Sequence, residues 1–95
     1  MSVVNDNDSG RDSKYYFDRA NIFSLEGKYE EAIVYYNKAI ELDPNYTDAY
    51  NGREKAKNDL GKYEDSIKDF NKVIELTPNY TNAYYDRGNA KKKIG

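Results

Sequence analysis

Two stretches of the chain place apolar residues at steps of three and four among polar ones. Tyr29, Ala32, Ile33, Tyr36, Ala39 and Ile40 form one stripe; Tyr63, Ser66, Ile67, Phe70, Val73 and Ile74 form another. That spacing puts each set on one face of an α-helix. The two stripes lie 34 residues apart, as do GKYE at 27–30 and GKYE at 61–64. ELDPNYTDAY at 41–50 is echoed by ELTPNYTNAY at 75–84. With 13–46 laid over 47–80, 15 of 34 positions are identical, and a third copy runs from Thr81 to Gly95. A period of this length is the signature of a repeat architecture.

Each unit predicts two helices. The first covers 13–26, 47–60 or 81–94, and the second carries the stripe. Gly27 and Gly61 fall between the two, where a residue able to take positive φ ends a helix cheaply. Pro44 and Pro78 cannot continue the second helix and bias the preceding residue toward extended dihedrals. Asn45 is then expected as the N-cap of the next helix with Asp48 as its capping-box partner, and Asn79 with Asn82 likewise. The copied ten residues stop one helix, turn and start another. Residues 1–12 lack any such pattern and are expected to be a disordered tail.

Composition narrows the function classes. The chain is 34% charged and 38% hydrophobic, with eleven tyrosines supplying much of the apolar surface. It has no cysteine and no histidine, so thiolate chemistry and the usual near-neutral general base are ruled out. The polar stretch NDNDSG at 5–10 has calcium-loop spacing but would place Tyr16 where a bidentate Glu is needed. No metal and no cofactor is expected. A net charge of −2 gives no general attraction to nucleic acid or an anionic membrane. With no apolar run near ~20 residues and no signal-peptide pattern, a soluble, cytoplasmic protein is the expectation. Carboxylates are many but spread over solvated faces, so catalysis is not expected.

The 34-residue period, with Tyr16, Ala20, Phe23, Ala32, Tyr36 and Pro44 in the first unit and Tyr50, Ser66, Phe70 and Pro78 in the second, resembles the tetratricopeptide repeat family. The resemblance spans 13–95 and divides it into 13–46, 47–80 and a half repeat or capping helix at 81–95. It implies an all-α fold of stacked antiparallel helix pairs, a short right-handed α-solenoid. Its concave face, lined by the first helix of each pair, would bind a peptide or extended segment of a protein partner. A homodimer formed by stacked or swapped helices is the alternative, since five helices fall short of three full repeats.

Several positions depart from the family pattern. Arg19, Arg53 and Arg87 stand where Leu is usual, with stems able to pack and heads expected to stay wet. Glu54 occupies a place held by Ala20 and Gly88 in the other units, and Gly52 lowers helix propensity. Glu54 is expected to open the local packing or to reach solvent or a nearby Lys or Arg. Helical projection points to Phe17, Asn21, Asn51, Lys55, Tyr85 and Asn89 as contact residues on the concave face. Phe17 and Tyr85 are aromatics that packing does not require there, and the Asn amides suit a peptide backbone. Family members that grip chaperone C-terminal carboxylates carry Lys, Asn, Asn, Lys and Arg. The corresponding places here hold Phe17, Asn21, Gly52, Asn82 and Asp86, which argues against chaperone tails as partners.

Overall fold

A computed structural model describes residues 11–94, except for the side chains of Thr81, Asn82, Ala83, Tyr85 and Asp86. The remainder of the expected tail, 1–10, and Gly95 lie outside the described residues. Five helices follow in order: α1 (Ser13–Leu25), α2 (Tyr29–Leu42), α3 (Thr47–Asp59), α4 (Tyr63–Leu76) and α5 (Thr81–Ile94). Each packs on its sequence neighbours, while α1 touches α3 and α3 touches α5 more lightly. The result is a stack of helical hairpins with α1, α3 and α5 along one side.

The local signals explain the boundaries. Gly27 and Gly61 take φ of 77° and 80°. This lets Lys28 N–H reach Phe23 C=O and Lys62 N–H reach Lys57 C=O, both at 2.8 Å, closing the helix ends. At the start of α1, the Asp12 carboxylate accepts from Tyr15 N–H at 3.0 Å, so the last residue of the expected tail belongs to the fold. At the start of α3 the expectation fails. Its N-cap is Tyr46, with no side-chain cap, and Asn45 instead donates its N–H to Asp43 Oδ1 at 3.1 Å. The Asp-Pro turn places the Asp43 carboxylate where it captures that amide first. The matching expectation for Asn79 with Asn82 involves a side chain outside the described residues.

The stripes of α2 and α4 face inward as expected. Ala20, Ala32, Tyr36, Ala39 and Ala49 form one buried cluster, and Tyr50, Phe70, Val73 and Ala90 a second. Ile40 packs against both and joins the two units. Fully burying a ring such as Phe70 is worth about 1.5–3 kcal/mol. Tyr50 and Tyr84 repeat one device: each hydroxyl donates to the carbonyl of the preceding proline, Pro44 or Pro78, at 2.9 Å.

Overlaying the units shows how the second tolerates its odd residues. Glu54 neither opens the packing nor reaches solvent; it is fully buried. Its Oε2 accepts from Asn58 Nδ2 at 3.0 Å, and the buried Ser66 hydroxyl lies 2.8 Å from Asn58 Oδ1. The first unit has Ala20, Ser24 and Ala32 at these three places, so a contact of small side chains has become a polar network. Phe23 and Tyr35, whose rings lie 5.1 Å apart, are replaced likewise by Lys57 and Asp69, paired at 3.1 Å. Arg53 does not keep its head wet. Its Nε and Nη2 donate to the two Asp69 oxygens at 2.9 and 2.6 Å, and its Nη1 donates to Asn37 Oδ1 at 2.7 Å. Arg87 repeats the second tie, donating to Asn71 at 3.0 Å, while Arg19 is exposed. Gly52 has a packing reason: a Cβ there would stand 2.5 Å from Tyr36 Cζ.

Candidate functional site

A groove of about 520 Å³ opens on the side formed by α1 and α3. Four of the six expected contact residues, Phe17, Asn21, Asn51 and Lys55, line it together. Asn89 does not join them; it borders a separate depression with Asn58, Asp59 and Tyr63. The Tyr85 side chain lies outside the described residues. The six fall at two places per unit, 17/51/85 and 21/55/89, so the repeat itself aligns them along the face.

Three of the four also serve the fold. The Phe17 ring is half-buried, with its centroid 5.0 Å from that of Tyr46 and 6.1 Å from that of Tyr36. Packing therefore does use this aromatic, contrary to the expectation that it stands free. Asn21 Oδ1 accepts a short hydrogen bond from the Tyr36 hydroxyl. Asn51 Nδ2 donates to Tyr80 Oη at 3.2 Å, and Tyr80 donates in turn to Asp48 Oδ1 at 3.0 Å. Tyr36 and Tyr80 both have hydroxyl pKa values raised above the usual phenol range. Burial is the main cause in each, and at Tyr80 the hydrogen bond to Asp48 adds to it.

Tyr29, Tyr36, Asp48, Asp59 and Tyr80 complete much of the lining without having been among the expected contacts. Asp48 was within reach of helical projection. Tyr80 was not, because it sits in the turn between α4 and α5 and only the fold swings its ring over α3. Its counterpart Tyr46 covers Phe17 in the same manner. Among the described residues no group of acidic side chains is placed to hold a metal ion. No described helix is long and apolar enough to cross a membrane.

The geometry is that of a helical-hairpin solenoid with a groove along its first-helix side, and sequence comparison assigns the hairpins. The profile of the tetratricopeptide repeat matches residues 13–46, and a second profile, TPR repeat, matches 55–95. The chain belongs to the tetratricopeptide repeat family. No curated protein sequence matches it. Among solved structures it is similar to the second TPR of Spaghetti (RPAP3) bound to the HSP90 peptide SRMEEVD. Identity is 32% over 94% of this chain and 82% of that one, with a TM-score of 0.87. The second TPR domain of human RPAP3, in complex with the HSP70 peptide SGPTIEEVD, is also similar. There the identity is 32% over 86% of this chain and 68% of that one, with a TM-score of 0.82. The Arabidopsis OM64 TPR domain is 26% identical over 87% of this chain and 69% of that one, with a TM-score of 0.84. The two chaperone-peptide complexes stand against the expectation that chaperone tails are poor partners for such a chain.

Proposed function

We propose that the protein is a non-catalytic scaffold that binds a peptide or extended segment of a partner protein in the groove between α1 and α3. The observation that carries this reading is the convergence of Phe17, Asn21, Asn51 and Lys55 on one groove. The groove has aromatic walls and amide and charged groups at its floor and rim, the mixture that fixes a peptide's orientation. The likeness to peptide-bound tetratricopeptide domains supports it and returns acidic chaperone tails to the candidates. Selection from a random peptide-display library against the full chain tests it. Recovered peptides should lose about tenfold in affinity on Ser24→Gln, a neutral side chain long enough to project into the groove. Peptides insensitive to that substitution would place binding elsewhere.

A second reading, self-association, is favoured by the ends of the stack. Tyr84 is 43% exposed where its counterpart Tyr50 is 8%, and Ile22 is 47% exposed where Ala56 is 2%. Light scattering over a concentration series separates the readings: a constant monomer mass removes self-association, and a concentration-dependent dimer supports it.

A further inference from the structure

We infer that the groove selects a segment carrying arginine, or less tightly lysine, whose cationic head is held by Asp48 and Asn51; this rests on the groove being the peptide site. The hydrogen bonds there run in one direction. Asn51 donates to Tyr80, and Tyr80 donates its single proton to Asp48. What remains for a ligand at this spot is acceptors. The first is Asp48 itself, an exposed carboxylate with accepting capacity beyond its one bond from Tyr80. The second is Asn51 Oδ1. Asn51 is 9% exposed, and this oxygen has no hydrogen-bond partner among the described residues. That oxygen exposes less than 1 Å² of surface, so the incoming N–H reaches it only as the Asn51 amide or the Tyr80 ring turns aside; a buried acceptor is costly to leave unmade, and the N–H then satisfies it.

Charge and shape agree with that chemistry. The groove's described lining carries the carboxylates of Asp48 and Asp59 against the single ammonium of Lys55. The Phe17 and Tyr80 rings offer apolar surface for an aliphatic stem and π-faces for a cation. A guanidinium presents its donors as a planar fork and can address two acceptors at once, which an ammonium does less well. Arginine is therefore the better fit.

The display selection described above tests this through the composition of its products. Peptides sensitive to Ser24→Gln should be enriched in Arg and Lys over Asp and Glu by about fivefold or more. A recovered arginine peptide should bind about tenfold more weakly to Asp48→Asn, which keeps an acceptor for Tyr80 but removes the charge. Arg→Lys within the peptide should cost a smaller factor. Groove-dependent peptides that are acidic or neutral would overturn the inference while leaving the peptide groove standing. So would tighter binding of SGPTIEEVD, which has no arginine or lysine, than of the arginine peptides, or unchanged affinity for Asp48→Asn. If no recovered peptide is groove-dependent, both the inference and the reading beneath it fall.

Discussion

Replacing Asp69 by Ala should be the most damaging single substitution in the second unit. The Asp69 side chain is 5% exposed and pairs with Arg53 through two hydrogen bonds and with Lys57 at 3.1 Å. Removing it leaves two largely buried cations without their shared anion, a change that costs about 3–5 kcal/mol. A chain of this length has only about 5–14 kcal/mol to lose, so the melting temperature should fall by roughly 10–30 °C. Asp69→Asn keeps the shape and one acceptor and should cost less. The first unit supplies the rescue, because Phe23 and Tyr35 fill the same two places with packed rings. Lys57→Phe with Asp69→Tyr should therefore be about 1–3 kcal/mol more stable than Asp69→Ala, since the Lys57–Asp69 pair exchanges for packed rings at little cost, and the remaining loss reflects Arg53, which still loses its carboxylate. Arg53 keeps Asn37 and the Tyr50 ring in that variant. Urea denaturation followed by circular dichroism of these variants and of the two singles, Lys57→Phe and Asp69→Tyr, gives the stabilities and the coupling between the two sites. The reasoning is refuted if Asp69→Ala lies within about 0.5 kcal/mol of the parent. It is refuted equally if the double variant is as unstable as the sum of its singles.

Further outcomes follow from the same contacts. Gly52→Ala should lower the melting temperature, because the clash with the buried Tyr36 ring costs about 1–3 kcal/mol against a propensity gain of about 1 kcal/mol; a raised value would show that the ring moves freely. Glu54→Ala, Asn58→Ser and Ser66→Ala together recreate the small contact of the first unit and should raise stability by about 1–3 kcal/mol in thermal melts, with a loss counting against the network as a mere substitute. Tyr36, Tyr46 and Tyr80 have raised pKa values, chiefly through burial, so the folded state holds their protons more tightly than the unfolded one. That stability is intact below about pH 10 and is lost as pH rises through the folded values. Phenolate absorbance should show these hydroxyls ionising after the exposed tyrosines, and Tyr80→Phe should remove one of the late steps.

Much of the scaffold is legible in the sequence because repetition reports it several times over. Period, positive-φ glycines, proline stops and inward stripes agree, and each has a local physical cause. What escapes is whatever depends on a contact between one helix and another. Lys57 and Asp69 read singly as two charges on two helices; only the overlay of one hairpin on the other shows them standing for an aromatic pair. Glu54 reads as a defect because its i,i+4 neighbour Asn58 is only half of the answer: Ser66, which completes the network, comes from α4, and only the packing of the hairpin brings it in. At the groove, helical projection finds the positions on α1 and α3. It cannot find Tyr36, which comes from the opposing helix, or Tyr80, which comes from a turn. Nor can it tell that Phe17, Asn21 and Asn51 are half engaged in packing before any ligand arrives.

The most direct test of the central claim is amide chemical-shift mapping of the full chain titrated with a peptide recovered from the display selection. Shifts should cluster at Asn21, Ser24, Asp48, Asn51 and Lys55, on the facing sides of α1 and α3. Shifts confined to Val34, Tyr35 and Lys38 on α2, or to Tyr84 and Ile94 at the end of the stack, would contradict the account and move the binding surface off the groove.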